Sequence, residues 1–150
     1  MRWLLAALHL LALGIGLGAI WARARALTGP LDAAGLRRVF YADAWWGIAA
    51  MAWIATGLAR ALGGLEKGTG YYLHNRLFLA KMGCLLLILV LEVSPMISLI
   101  RWRMSLAEGE VVDASRAPRF ARISRIQAVL VVLMVLAATG MARGYGMASP

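Results

Sequence analysis

Four apolar runs constrain this chain more than any other feature of its sequence. They extend from about Trp3 to Trp21, Ala44 to Leu62, Leu77 to Ile100 and Ile126 to Ala142. Each is close to the ~20 residues that a helix needs to cross the hydrocarbon core of a bilayer. Lipid offers backbone groups no hydrogen-bond partners, so only helices and closed barrels cross it. None of the runs shows the alternation of a strand. The expected fold is all-α, an integral membrane four-helix bundle, with residues 1–150 forming one four-span domain. Composition agrees, because 62% of the residues are hydrophobic, against about half in soluble domains. A net charge of +9 would suggest nucleic acid in a soluble protein. In so apolar a chain it excludes that partner and reports topology and contact with anionic lipid instead. The single cysteine, Cys84, lies inside an apolar run, so the chain has no internal disulfide and no Cys/His metal cluster.

The charges also orient the spans. Ala22-Arg23-Ala24-Arg25-Ala26 superficially resembles a cleavage site after a signal sequence. Only Arg2 precedes the apolar run, however, while Arg23, Arg25, Arg37 and Arg38 follow it. The first run therefore reads as a retained helix with its N-terminus outside. Those four arginines and Arg101, Arg103, Arg116, Arg119, Arg122 and Arg125 fall on one side. Arg2, Arg60, Lys67, Arg76 and Arg143 fall on the other. Short loops rich in Lys and Arg stay in the cytoplasm. The expected location is the bacterial inner membrane, with both termini periplasmic and the first and third loops inside. Trp3, Trp21, Trp102, Tyr71 and Tyr72 lie near span ends, as interfacial aromatics do. Gly63-Gly64 and Gly68-Thr69-Gly70 mark the outer loop, Gly29-Pro30 breaks the first inner loop, and Asn75 is a suitable N-cap for the third helix.

Ionisable residues within the spans are expensive and are functional candidates by default. His9 lies in the outer half of the first span, near the face of Ala12 and Gly16. A neutral imidazole there can ligate a metal or haem iron, or simply hydrogen-bond inside the bundle. Lys81 begins the third span at a similar depth and can serve a site or snorkel to the interface. Glu92 shares a face with Lys81 but lies about 16 Å further along. Pro95 follows it and is expected to kink the helix. Asp43 starts the second span. Glu92 and Asp43 are candidates for a proton or ion path. Gly14 and Gly18 form a small-xxx-small pattern, and Asp43, Gly47, Ala50, Ile54 and Gly57 share one face of the second helix. Packing is the expected role of Gly14, Gly18 and Gly47. No nucleophile motif, phosphate-binding glycine loop or carboxylate-rich metal site is present in the sequence.

Three passages carry a resemblance: Ala42-Asp43-Ala44-Trp45-Trp46-Gly47-Ile48-Ala49-Ala50, Tyr72-Leu73-His74-Asn75-Arg76-Leu77-Phe78-Leu79-Ala80-Lys81-Met82, and Met141-Ala142-Arg143-Gly144-Tyr145-Gly146. With them the chain resembles, over nearly its whole length, a family of small bacterial four-span membrane proteins classed as a domain of unknown function. Arg76 stands where that family usually has proline. A more distant likeness is to the superfamily of the copper-resistance D membrane proteins and the haem-b-dependent protoporphyrinogen oxidases. Those oxidases carry a histidine in the first span and a lysine early in a later one, which His9 and Lys81 match. Their further histidines have no counterpart within a span here. This likeness implies haem b near the outer face, with His9 as an axial ligand and Lys81 as a second ligand or a propionate partner beside Arg60 or Arg76. Two other functions stand beside it. One is a non-catalytic accessory or assembly subunit, bound to a membrane-protein partner or to copies of itself. The other is a proton or ion pathway through Glu92, Asp43 and Lys81. The substrate and reaction, if any, are not encoded in a recognisable motif.

Overall fold

The computed structural model describes residues 2–62 and 75–146. Among the described residues there are four helices: α1 (Arg2–Ala26), α2 (Ala33–Leu62), α3 (Arg76–Ala107) and α4 (Ala117–Ala142). No β-strand occurs among the described residues. The all-α bundle expected from the apolar runs is the observed architecture. Lys67, Tyr71, Tyr72, His74 and the glycines expected to turn the outer loop lie outside the described residues.

Each helix is longer than its apolar run. The 32 residues of α3 reach about 48 Å, well beyond the ~30 Å of hydrocarbon. The extra turns of α2, α3 and α4 carry Arg37, Arg38, Arg101, Arg103, Arg119 and Arg122. Among the described residues three helices, α1, α3 and α4, are long and apolar enough to cross a membrane. The fourth span expected over 44–62 does not reach that apolarity. Its run is built from alanine, glycine and three tryptophans, with Thr56 and Arg60, whereas α3 is built from leucine, isoleucine and valine.

Local chemistry sets the helix ends. Asn75 caps α3 as expected, its side-chain oxygen accepting from the N–H groups of Leu77 (2.9 Å) and Phe78 (3.4 Å). The same side chain donates to the carbonyl of Tyr145, and the Arg76 N–H donates to the carbonyl of Gly146. The chain after α4 is thereby tied to the start of α3. Gly146 has φ +89°, and a Cβ there would collide with Asn75 and Leu77, so only glycine fits. The Asp32 carboxylate accepts from the Gly35 N–H at 2.7 Å and opens α2. A Cβ on Gly35 would strike the Pro30 carbonyl. Gly109, with φ +77°, follows the end of α3. α3 runs on through the buried Pro95.

Helix α1 packs on α2 and α4, and α3 packs on α4. Two apolar layers form the core. One gathers the basic helix ends around Leu27, Leu36, Val39, Leu99, Trp102 and Phe120. The other lies deeper, around Ile20, Trp46, Ile88, Ala128, Val131 and Met134. The α1–α2 contact runs through glycines other than those expected. A Cβ on Gly14, Gly18 or Gly47 would meet nothing within 4 Å, whereas one on Gly16 would touch Ala49 and Trp46 at 3.5 and 3.6 Å. Two residues along a helix is a turn of about 200°. Gly14 and Gly18 therefore lie off the face by which Gly16 touches α2. On α2 the buried stripe is Val39, Ala42, Trp46 and Ala49, and Gly47 lies off it.

Candidate functional site

Between the two apolar layers lies a polar one, centred on Arg23. Residue 23 is three positions from the end of α1 and one turn from Ile20 and Leu27, both buried. That spacing carries its side chain into the bundle, where it is fully buried. The sequence reading placed Arg23 among the loop charges. The structure moves it inside, and the basic asymmetry of the remaining residues keeps its direction.

A guanidinium has five N–H donors, and each of the five finds an acceptor. Nε donates to Ser124 Oγ at 3.1 Å. One terminal nitrogen donates to Asp43 Oδ1 at 2.8 Å and to Glu92 Oε1 at 2.6 Å. The other donates to Glu92 Oε2 at 2.8 Å and to Gln127 Oε1 at 3.1 Å. Arg23 and Glu92 thus form a two-pronged pair, the strongest geometry available to these groups. Gln127 completes its own requirements by donating to Glu92 Oε2 and to the Ile88 carbonyl. Arg103 donates to Asp43 Oδ2 at 2.8 Å and to the Phe40 carbonyl, and its guanidinium lies over the Phe40 ring. Two cations and two carboxylates from α1, α2 and α3, with Ser124 and Gln127 of α4, form one neutral cluster. The sequence placed Asp43 and Glu92 at candidate sites, and the cluster brings them together. Arg23, Arg103, Ser124 and Gln127 were missed.

His9 lies at a second polar position, nearer the other end. Its Nδ1 is 2.9 Å from Thr56 Oγ1, and its ring stacks on Trp53 with centroids 5.6 Å apart. Thr56 spends its one hydroxyl proton on the carbonyls of its own helix, the Ala52 oxygen at 2.7 Å being the nearer. Its oxygen is therefore placed to accept from the Nδ1–H of His9. Gly57 makes room for the ring, since a Cβ there would lie 3.2 Å from Cε1. Trp53 Nε1 is buried and has no hydrogen-bond partner. Lys81 lies on α3, which packs on α4. These described contacts hold His9 to α2 and do not bring it and Lys81 into one site. Among the described residues no group of three or more metal-binding side chains occurs. The large cleft between α1 and α2, about 1290 Å³, opens near Gly18 and Arg25 and is not lined by His9.

Against known proteins, residues 1–146 match the family model described as predicted membrane protein (DUF2214). No curated protein and no solved structure matches. The likeness to the copper-resistance D and oxidase superfamily gains no support from these comparisons. Within the fold, two of the three passages that carried the nearer resemblance meet at the Asn75–Gly146 junction. The third supplies Asp43 to the polar cluster and Trp46 and Ala49 to the α1–α2 contact.

Proposed function

The chain belongs to the DUF2214 family of predicted membrane proteins, and on that premise we propose that it is a non-catalytic accessory or assembly subunit of the bacterial inner membrane. The observation that carries this reading is the closure of the Arg23 cluster. Every guanidinium N–H is used, and its acceptors on α2, α3 and α4 join those helices to α1. A proton path needs carboxylates that can take up and pass on a proton. Here Glu92 is engaged at both oxygens by Arg23 and Gln127. A proton arriving there would have to open the clasp that joins the helices. The cluster suits a structural part better than a conducting one.

In this proposal α2 crosses the bilayer with the other three helices, and both termini are periplasmic. Support comes from the exposed arginines of the helix ends, which gather around the layer of Leu27, Leu99 and Phe120. Reporter fusions after Gly64 and after Gly109 check it. A periplasmic signal from the first and a cytoplasmic signal from the second are expected; the opposite pair overturns the topology.

Purified protein in proteoliposomes under an imposed potential should show no proton flux above that of empty vesicles. A flux that Glu92→Gln abolishes would replace the structural reading with a pathway. A second reading is haem b at His9, whose ring bonds Thr56 and stacks on Trp53. A visible spectrum of protein purified in mild detergent decides it. The accessory-subunit reading expects no Soret band, and a band lost in His9→Ala would restore haem.

A further inference from the structure

The cleft between α1 and α2 has an occupant chemistry written into its two ends. Toward the bundle centre it is apolar. Its α1 wall is cut back to Gly18 and Ala22, and its α2 wall is made by Trp45 and Tyr41, set edge to face at 6.3 Å. Toward the helix ends it is lined by Arg25, Arg37, Arg38 and Arg103. Arg103 is already bound to Asp43. Arg25, Arg37 and Arg38 are exposed, and no described carboxylate pairs with them, in contrast to Arg23 two residues away. The volume of about 1290 Å³ exceeds the ~300–1,000 Å³ of ordinary small-molecule pockets.

We propose that this cleft is a binding site for one anionic glycerophospholipid of the surrounding bilayer. Its phosphate would sit among Arg25, Arg37 and Arg38, and an acyl chain would lie along Gly18 and Ala22 against Trp45. Three features favour a lipid over a soluble anion or a second protein copy. The charged and apolar parts follow one another along the helix axis, as they do in a lipid. Among the described residues the three cations have no acidic partner of their own. The small residues Gly18 and Ala22 leave the α1 side of the cleft open. Basic pockets between membrane helices on the cytoplasmic side are the usual place for such headgroups. The proposal is independent of whether the protein is catalytic.

Native mass spectrometry of the full chain in detergent tests it, with phosphatidylglycerol and phosphatidylcholine of identical acyl chains as probes. One phosphatidylglycerol should be retained, with phosphatidylcholine at least about tenfold weaker. The pair Arg37→Gln and Arg38→Gln should weaken phosphatidylglycerol roughly thirtyfold. Ala22→Leu, which fills that side of the cleft, should remove the adduct. Gly18→Leu, whose Cβ has open space, provides a second filled cleft if the first variant misfolds by circular dichroism. Arg119→Gln with Arg122→Gln, on α4 and outside the cleft, should change nothing. Equal binding of the two lipids overturns the proposal, as does equal loss from the α4 pair, which would mean diffuse charge. Inorganic phosphate competing as well as the lipid would reduce the cleft to an anion site. A dimer that Ala22→Leu dissociates would give the cleft to a second copy.

Discussion

Two polar groups enter the interior of this bundle from α1, and they are held very differently. Arg23 is bonded to α2, α3 and α4 and has no unsatisfied donor. His9 bonds Thr56 and stacks on Trp53, both of α2, and that tryptophan keeps a buried N–H without a partner among the described residues. The difference teaches how a membrane bundle carries charge. A full charge needs counter-charges and a complete set of hydrogen bonds, which only several helices together can supply. A neutral imidazole needs one or two bonds, and a neighbouring helix suffices. The Arg23 layer therefore fixes which helices meet and at what register. The His9 contact trims one helix pair.

Breaking the four-helix end should cost far more than breaking the two-helix end. Arg23→Met leaves the half-buried Asp43 and Glu92 without their shared cation, and the expected loss is roughly 3 kcal/mol in a reversible unfolding titration. Arg23→Lys should recover only part of it, because an ammonium cannot make the two-pronged contact. Replacing Glu92 by Gln keeps the shape and removes one charge. About 2 kcal/mol is expected by the same titration.

The glycine contacts sharpen the picture of how α1 meets α2. Gly16→Leu forces the helices apart at Ala49 and Trp46, costing about 1–3 kcal/mol. Gly14→Leu points into open space and should leave the melting temperature unchanged. If the two replacements behave alike, the α1–α2 face has been misassigned. At the His9 end, Thr56→Val removes one neutral hydrogen bond to His9, worth about 1 kcal/mol. A change as large as that of Arg23→Met would erase the distinction drawn between the two ends.

The smallest expected effect lies in the loop before α4. The Asp113 carboxyl is held below the usual carboxylate range, first by the Ser115 backbone N–H at 3.0 Å, then by its hydroxyl and by Arg116. A carboxyl shifted downward stabilises the fold above its unfolded value near 3.9 and stops doing so as pH falls through the lower folded value. This group is fully exposed. Asp113→Asn should leave the melting curve unaltered from pH 8 to pH 5.

Much of this fold could be read from residues alone. The apolar runs mark the helices, Asn75 marks the start of α3, and the basic residues mark one end. Arg23 escaped because a membrane helix ending in arginines is ordinarily read as reaching water there. Its periodicity was the available signal. Ile20, Arg23, Ala24 and Leu27 fall on one face, and all four are buried. Asp43, Glu92 and Gln127 also lie near the same end and require a donor between them. The glycine contacts were harder to read, since small residues occur on several faces of α1 and only the partner helix selects Gly16 over Gly14. The apolarity of α2 was overestimated because tryptophan and alanine extend a run without making it as lipophilic as leucine does.

The central claim is that Arg23 and its acceptors act as one clasp. A double-mutant cycle on Arg23→Gln and Glu92→Gln, measured by reversible unfolding in detergent, tests it most directly. A pair joined in a buried network should couple by about 2–3 kcal/mol, so the double variant should lose much less than the two single losses combined. A coupling below about 0.5 kcal/mol, the scale of an exposed ion pair, would contradict the clasp and return Arg23 to the solvated end of its helix.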